Sequence, residues 1–263
     1  MSGKAPLRVA MIGYGAIGQE VTRLAVDDAD MQIVAALVRD PTKARIIAGP
    51  KLVTTLDALL AAMPEVVVEA GGHTALTTHG PGVLRAGCDL IMVSVGAFAV
   101  PGVLEKIRAA AREGDSQAKI ASGAIGALDA IAAAAVGGLD RVTHTTRKPA
   151  HTLLPPDEVA TLTEARELFR GPAREAALRF PESINVAAAV SLAGIGLDRT
   201  EVVMIADPAV TRNIHIVTAE GAFGMLRFEI ANVPSETNAR TGKLVAMSIF
   251  HALRTRRATL IAG

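Results

Sequence analysis

A glycine-rich turn near the N-terminus constrains the fold of this 263-residue chain more than any other feature. An apolar run at 8–12 leads into the pattern Gly13-x-Gly15-x-x-Gly18, and a helical pattern follows at 16–25. In a dinucleotide-binding turn, the first glycine permits the tight turn, the second lets backbone approach a pyrophosphate, and the third lets the helix lie close to the strand. The helix start offers free N–H groups to that pyrophosphate. The predicted cofactor-binding residues of this turn are Gly13, Gly15, Ala16, Ile17 and Gly18.

The composition excludes several other classes of protein. Half of the residues are hydrophobic and the net charge is +1, so we expect a globular protein with no nucleic-acid partner. No apolar run reaches the roughly 18 residues that span a bilayer, and no signal-peptide pattern is present, so no membrane partner is expected. Cys88 is the only cysteine, which favours a cytoplasmic location. No metal site is expected, because the histidines are scattered and no paired cysteines occur.

The order and length of the predicted strands and helices indicate two domains. Up to about residue 122, short β-branched runs alternate with helical patterns, which is typical of an α/β fold with a doubly wound parallel sheet. We therefore predict an N-terminal Rossmann domain at 1–122. Later strands are longer and alternate in polarity, which favours a second, smaller α+β domain with a mixed or antiparallel sheet at 123–237. This domain is assigned substrate binding, catalysis and dimerisation. The segment 238–263 is predicted to carry a helix that packs back on the Rossmann domain.

Individual elements follow from the same periodicities. Strands of the first domain are predicted at 8–12, 32–38, 66–69, 89–93 and 119–121, with one more near 51–54. Its helices are predicted at 16–25, 55–62, 74–85 and 103–112. In the second domain we predict an alanine-rich helix after 125, helical stretches between 163 and 179, and strands at 141–147, 201–206, 213–219 and 223–231. A last helix is predicted at 238–254.

The end of the second predicted strand bears on the choice between NAD and NADP. A NAD-specific fold usually carries an acidic residue there, which binds the ribose hydroxyls. Here the strand ends Leu37-Val38-Arg39-Asp40. Arg39 is placed to cover the adenine or to pair with a 2′-phosphate, whereas Asp40 comes one position late for the ribose. An equally good interpretation is a solvated Arg39 and an Asp40 that caps a helix beginning at Pro41. The predicted cofactor is therefore NAD or NADP.

Three further loops follow predicted strands, at the edge where ligands bind in open α/β sheets. Each couples small residues to a helix start, which lets a flat nicotinamide ring lie against backbone. Each is also compatible with a close-packed turn. The loops are Glu69-Ala-Gly-Gly-His73, Ser94-Val-Gly-Ala-Phe98 and Ser122-Gly-Ala-Ile-Gly126.

Several strings of residues resemble those of L-aspartate dehydrogenases, and they occur in order over nearly the whole chain. The strings are Ser94-Val-Gly-Ala, Ser122-Gly-Ala-Ile-Gly-Ala-Leu-Asp129, Thr146-Arg-Lys-Pro149, Phe180-Pro-x-x-Ile-Asn185-Val-Ala-Ala, Ala206-Asp-Pro208 and Asn213-Ile-His215. The resemblance implies a two-domain enzyme, usually a homodimer. Such an enzyme oxidises L-aspartate with NAD or NADP to iminoaspartate, which water converts to oxaloacetate and ammonia.

The resemblance also implies roles for particular residues. His215 of the Asn-x-His string is the acid/base group, and Ala124 and Asn185 contact the cofactor. The chain departs from the family pattern at Asn238-Ala-Arg240-Thr, where Pro usually follows Asn. It departs again at Glu182-Ser183. The first departure affects only the start of the last helix.

The chemistry of a histidine agrees with the role that the resemblance gives to His215. Oxidation of an amine to an imine needs a group that takes a proton near neutrality, and an unperturbed imidazole has a pKa near 6.5. His215 lies in a strand pattern between Ile214 and Ile216, so it points to the opposite face from them. If the isoleucines face the core, His215 faces a cleft or solvent. On spacing alone a structural histidine is favoured, and His73 and His144 are alternative bases.

L-aspartate carries two carboxylates, so its pocket should present a cation. Arg147 and Lys148 are the best-placed pair, but neighbouring residues of a strand point to opposite faces. We predict that one of them binds substrate and favour Lys148, while an exposed charge pair is an equal alternative. Asn213 and Thr211 share a face with His215 and are further candidates, with cross-strand polar contacts as the alternative.

Other functions remain open at this point. An imine or dihydrodipicolinate-type reductase, or a homoserine-type dehydrogenase, would share both domains and differ in substrate. A non-catalytic nucleotide-binding sensor is a second alternative, which the Thr-Arg-Lys-Pro string, Asn185 and His215 argue against. The sequence leaves the direction of reaction open, either towards iminoaspartate for pyridine nucleotide synthesis or towards amination of oxaloacetate.

Overall fold

The computed structural model describes residues 5–43, 49–181, 183–235 and 241–261. The chain divides into two compact units. The first comprises Met1–Gly123 and Val245–Gly263, and the second comprises Ala124–Leu244.

The first unit contains a six-stranded sheet in which every pairing is parallel. Its strands are β1 (Leu7–Ile12), β2 (Met31–Leu37), β3 (Lys51–Val53), β4 (Val66–Glu69), β5 (Asp89–Met92) and β6 (Ala118–Ile120), in the order β3-β2-β1-β4-β5-β6. The order reverses direction at β1, so the crevice beside the carboxyl end of this strand is the expected ligand position in such a sheet.

The helices of the first unit connect these strands. They are α1 (Ala16–Ala25), α2 (Leu56–Leu60), α3 (His73–Arg85) and α4 (Val103–Glu113), with a short 3-10 helix at Val95–Ala99. Every residue of β4 is buried, as expected of a central parallel strand covered on both faces. The side chain of Thr55 caps α2 by accepting a hydrogen bond from the N–H of Ala58 at 3.2 Å.

The second unit contains a five-stranded mixed sheet. Its strands are β7 (Leu139–Pro149), β8 (Arg166–Pro172), β9 (Glu201–Asp207), β10 (Asn213–Gly221) and β11 (Gly224–Asn232), in the order β11-β10-β7-β9-β8. Only the β7–β9 pairing is parallel among these strands. The helices are α5 (Leu128–Val136), α6 (Pro156–Thr161), α7 (Ala173–Arg179) and α8 (Asn185–Ala193).

The core of the second unit lies between one face of this sheet and two helices. Val142, Val217 and Ala219 from the sheet pack against Ile131 of α5 and Val190 of α8. We call this the inner face of the sheet. Because side chains alternate along a strand, every second residue of β7 and β10 joins these residues on the inner face.

The last helix is α9 (Lys243–Arg254). Arginines at its end and just after it form ion pairs with acidic residues at the strands of the first unit. Arg254 lies 3.6 Å from Asp28. Beyond the helix, Arg256 pairs with Asp89 and Arg257 pairs with Glu65. None of the helices in the described part of the chain has the length and apolar character needed to span a membrane.

The predicted fold class is confirmed, with a Rossmann-like parallel sheet and a second mixed sheet, while some predicted elements are wrong. Residues Arg166–Pro172 form β8, where we predicted helix, because an edge strand with Arg and Glu at its exposed positions lacks an apolar alternation. Helix α8 was not predicted, because its run of small apolar residues has little amphipathic contrast. The predicted start of the last helix at 238–240 lies outside the described residues.

Candidate active site

The glycine-rich turn connects β1 to α1 and has the geometry that its sequence predicts. Gly13 has a φ of +89°, and a Cβ placed there would lie 2.6 Å from the Cα of Gly71. A Cβ at Gly18 would lie 2.7 Å from the carbonyl oxygen of Gly13. Both positions therefore exclude any larger residue. Gly13 is required by the turn and its neighbouring loop, and Gly18 is required because α1 lies so close to the turn.

Gly15 differs from the other two glycines, because a Cβ placed there would meet nothing within 4 Å. It is also the N-terminal cap of α1, and no side chain within the described residues caps this helix. Ala16 and Ile17 form the first turn, where backbone N–H groups and the helix dipole favour an anion. Open space beside an uncapped helix start is the arrangement that a pyrophosphate requires, so this turn fits a dinucleotide.

A buried carboxylate organises the neighbouring loops at the carboxyl edge of the sheet. Glu69 ends β4 and is 0% exposed. Its Oε1 accepts hydrogen bonds from the N–H of Gly71 at 2.8 Å, the N–H of Gly72 at 3.0 Å and the hydroxyl of Ser94 at 2.8 Å. Its Oε2 accepts from the N–H of Ser94 at 3.0 Å and of Val93 at 3.4 Å. We call these groups the Glu69 network.

All five partners of Glu69 are donors, so the group that fits them is the ionised carboxylate. Burial raises the pKa of Glu69 above its usual value, and the hydrogen bonds from Ser94, Gly71 and Val93 oppose that effect. The network fixes two of the three predicted loops against each other. Sequence reasoning placed Glu69 in a loop but did not identify this role; a lone acid directly after three buried valines was the available signal.

At the end of β2, Arg39 and Asp40 are both exposed. The carboxylate of Asp40 accepts hydrogen bonds from the N–H of Thr42 at 2.8 Å and from its hydroxyl at 2.6 Å. One oxygen of this carboxylate, Oδ1, is therefore engaged in a local turn. The residues at 44–48, which would continue a helix from Pro41, lie outside the described residues.

In the second unit, His215 lies on the inner face of the sheet, in β10 with Val217 and Ala219, and is only 5% exposed. The sequence left open which residues of this strand face the core, and the structure places His215 rather than the flanking isoleucines there. Ile214 and Ile216 lie half-buried on the opposite face, because His215 shares its strand parity with the core residues. The histidine is thus enclosed by the core-facing side of the sheet.

His144 of β7 lies beside His215 on the inner face. Its Nε2 is 3.2 Å from the Nδ1 of His215, and the two ring planes are within 20° of each other. Burial lowers the pKa of His215 to about 4, and the ammonium of Lys148 adds to this effect. Burial lowers the pKa of His144 well below its usual value, with further contributions from His215 and Lys148. Both rings are therefore neutral at physiological pH.

The two cations of the Thr-Arg-Lys-Pro string point to opposite faces, as strand geometry requires. Lys148 shares its parity with His144 and donates a hydrogen bond to the hydroxyl of Ser183 at 2.8 Å. The side chain of Arg147 instead pairs with Asp207, with Nε at 3.1 Å from Oδ2. Lys148 is therefore on the face of the histidines, and Arg147 is held away from it.

The remaining predicted residues of this unit are Ala124, Asn213, Asn185 and Thr211. Asn232 donates a hydrogen bond at 2.9 Å to the carbonyl of Ala124, and it pairs with Asn213 across the β10–β11 ladder. Ala124 and Asn213 thus share a neighbour. Asn185 is the first residue of α8, while Thr211 is exposed and precedes β10.

Two other features of the molecule are separate from these residues. A cavity of about 330 Å³ in the first unit is lined by residues such as Asp28, Met31 and Arg254, at the amino end of β2, and contains none of the predicted site residues. Among the described residues, no group of three His, Cys, Asp or Glu side chains is arranged to hold a metal ion.

The parallel sheet with its glycine turn, and a second unit that holds neutral histidines beside a lysine, fit a pyridine-nucleotide-dependent oxidoreductase. Comparison with known families narrows this class. Residues 13–120 match the family described as homoserine dehydrogenase, NAD binding domain, and residues 129–256 match the family described as aspartate dehydrogenase, C-terminal.

Individual relatives agree with these matches. The chain is 43% identical to L-aspartate dehydrogenase of Cupriavidus necator and 44% identical to that of Ralstonia pickettii, covering 95% of this chain and 97% of each relative. The crystal structure of aspartate dehydrogenase from Thermotoga maritima aligns with a TM-score of 0.81 and 27% identity, covering 98% of this chain and 99% of that one. The chain belongs to the L-aspartate dehydrogenase family, and the resemblance found in its sequence is confirmed.

Proposed function

We propose that this protein oxidises L-aspartate to iminoaspartate with NAD or NADP, and that water then yields oxaloacetate and ammonia. The observation that carries the proposal is His215, a histidine kept neutral on the inner face beside Lys148, in a chain more than 40% identical to L-aspartate dehydrogenases. The reductase, homoserine-type and sensor alternatives are not favoured, because those relatives match over 95% of the chain.

His215 is the proposed acid/base residue, acting through Nε2. As the amine nitrogen of aspartate forms a double bond to Cα, it gives up a proton, and Nε2 of a neutral imidazole accepts it. The bound nicotinamide cofactor supplies the hydride acceptor for the hydrogen that leaves Cα. Once Nε2 has returned this proton to the imine nitrogen, its lone pair is free again to take a proton from the water that attacks the imine carbon. Burial favours this role because it keeps the ring unprotonated at neutral pH.

Lys148 is the proposed ligand of a substrate carboxylate. Its ammonium lies on the face of the histidines, and its hydrogen bond to the Ser183 hydroxyl holds the side chain in one direction. A half-buried ammonium binds a carboxylate by a charge-assisted hydrogen bond. Asn213, which begins β10 two residues before His215, is the proposed polar contact to the same substrate.

The cofactor is proposed to bind through Gly13, Gly15, Ala16, Ile17 and Gly18, with Arg39 at its adenosine end. The open space at Gly15 and the uncapped start of α1 support this placement. Ala124 and Asn185 are proposed as further cofactor contacts, as the family resemblance implies. We also infer a homodimer located in the cytoplasm, from the resemblance and from the single cysteine of the chain.

The test is the absorbance of reduced nicotinamide formed by purified protein with L-aspartate and either NAD or NADP. Glutamate, alanine and homoserine serve as controls in parallel samples. We expect signal with aspartate alone, and the nucleotide that gives it shows whether Arg39 selects a 2′-phosphate. Silence with aspartate, in protein that binds the reduced cofactor, would reject the proposed function.

A further inference from the structure

The pairing of His144 with His215 is more than a contact between two buried side chains. Their hydrogen bond at 3.2 Å joins Nε2 of one ring to Nδ1 of the other. His144 is 1% exposed, and its remaining nitrogen, Nδ1, is enclosed without a hydrogen-bond partner among the described residues. His144 therefore directs its one hydrogen bond at His215.

Two arrangements of protons satisfy this hydrogen bond between neutral rings. If His144 donates from Nε2, then Nδ1 of His215 is the acceptor, and the proton of His215 sits on Nε2. If His215 donates from Nδ1, its Nε2 carries a lone pair. Only the second arrangement gives a base at Nε2, because a neutral imidazole has one protonated and one unprotonated nitrogen.

We propose that His144 is a positioning residue that accepts the Nδ1–H of His215, and so keeps Nε2 of His215 unprotonated for the proton of the amine or water. This inference rests on the proposed function. It assigns no contact with substrate to His144. The role parallels that of the group that orients the histidine of a catalytic triad, but with a neutral ring as the acceptor.

The surroundings of His144 oppose a second proton on its ring. In the proposed arrangement its one proton sits on Nδ1, and a further proton at Nε2 would place a positive charge in an enclosed site close to Lys148, which burial opposes. The proton taken up during reaction therefore stays on His215. In that state His215 carries hydrogen on both nitrogens, and its Nδ1–H still donates to His144, so the same hydrogen bond holds before and after proton uptake.

The orientation of the ring follows from the fold. His144 and Val217 are directly paired in the β7–β10 ladder, and His215 pairs with Thr146, so the two histidines lie diagonally on one face. This diagonal spacing brings long side chains into reach of each other. Val142, two residues before His144, packs in the core of the same face, which fixes the strand beneath the ring.

The direct test is the ¹⁵N NMR spectrum of protein labelled at histidine nitrogens, with signals assigned by removing each histidine in turn. We expect His215 of the wild-type protein to be protonated at Nδ1 and unprotonated at Nε2. In His144→Phe, which fills the space without an acceptor, we expect the proton of His215 to move to Nε2. A wild-type His215 protonated at Nε2, or one unchanged in the variant, would overturn the proposal. The wild-type spectrum decides even if the variant does not fold.

A kinetic test separates positioning from simple packing. We expect His144→Phe to lower kcat by about tenfold to a hundredfold, with KM for aspartate and affinity for NADH unchanged. His144→Gln should recover most of this loss, because its amide oxygen accepts a hydrogen bond. Val142→Ala is the matched control, since it removes core packing on the same strand and should lower Tm without lowering kcat.

The opposite results contradict the proposal for His144 alone. They are equal losses of kcat in Val142→Ala and His144→Phe at similar loss of Tm, or no recovery in His144→Gln. Failure of the proposed function is distinguishable, because the wild-type protein would then form no reduced nucleotide with aspartate while the NMR spectrum still reported the tautomer.

Discussion

The Glu69 network and the His144–His215 pair both bury titratable side chains on a sheet, but they satisfy them differently. The carboxylate of Glu69 receives five hydrogen bonds from two loops. The two imidazoles share one hydrogen bond. Two enclosed polar atoms here have no hydrogen-bond partner within the described ranges, namely Nδ1 of His144 itself and Oγ1 of the neighbouring Thr146.

This difference separates a structural use of a buried polar group from a chemical one. A fully satisfied buried charge holds backbone in place and has no bonding capacity left for a ligand. A buried group with unused capacity costs stability, and such groups concentrate where chemistry occurs. We infer that the Glu69 network shapes the loops at the carboxyl edge of the first sheet, whereas the histidine pair serves proton transfer.

Of the variants proposed here, replacement of His215 should have the largest effect on turnover. We expect His215→Ala to lower kcat by about a hundredfold to ten-thousandfold, the usual share of one general acid/base, while affinity for NADH stays nearly unchanged. Stopped assays of turnover and fluorescence titration of NADH measure the two quantities. His151→Ala, at an exposed position, is the control and should leave both unchanged. Lost nucleotide affinity with turnover preserved would contradict the assignment.

Replacement of Glu69 should instead affect stability and cofactor affinity. Glu69→Gln places an amide NH₂ among five donors, so we expect the free energy of unfolding to fall by about 3 kcal/mol and cofactor affinity to weaken. Urea unfolding and NADH titration measure these effects. Glu113→Gln is the control, since its exposed pair with Arg85 should contribute less than about 1 kcal/mol. A Glu69→Gln variant with unchanged stability and normal affinity would show that the Glu69 network has no such role.

Lys148 and Arg147 offer a comparison between two faces of one strand. We expect Lys148→Met to raise KM for aspartate by about tenfold to a hundredfold, because a charge-assisted bond to a carboxylate is lost. Arg147→Met should instead lower Tm with KM unchanged, since it strips the buried Asp207 of its ion pair. Steady-state kinetics and thermal unfolding distinguish the two variants. The reverse pattern would place the substrate on the opposite face of the sheet.

The pH dependence of stability should differ in sign between the two regions. The pKa of His215 falls from 6.5 to about 4 on folding, so the unfolded chain binds more protons between these values. Stability from this group is therefore complete above pH 6.5 and is lost as pH falls towards 4, on the order of 1 kcal/mol per pH unit. The raised pKa of Glu69 acts in the opposite direction.

Chemical unfolding at pH 4 to 6.5 measures this slope in the wild-type protein and in His215→Ala. The variant should show a shallower loss of stability towards low pH. Identical slopes in both proteins would mean that His215 is not buried in a neutral form.

Several features of the molecule were readable from sequence because they depend on local pattern. The apolar runs of the parallel strands and the spacing of Gly13, Gly15 and Gly18 gave the first sheet and its turn. Strand β8 was missed because its side chains at an exposed edge are charged. The sequence left the direction of His215 open, because parity alone does not say which face of a strand meets the core.

The contacts within the candidate site could not be predicted from the sequence for a different reason. Glu69 and Ser94 are 25 residues apart, and His144 and His215 are 71 apart. Such partners are set by which strands become neighbours and in what register. The order β10-β7-β9 and the diagonal between His144 and His215 follow from the assembled sheet rather than from either strand.

In the proposed reaction, hydrogen leaves Cα of L-aspartate as hydride and is transferred to the nicotinamide cofactor. The most direct measurement is mass spectrometry of the reduced cofactor formed from L-aspartate deuterated at Cα. We expect one deuterium in each molecule of reduced cofactor, and none when the label is on Cβ. Reduced cofactor without deuterium, or no reduction at all, would contradict it.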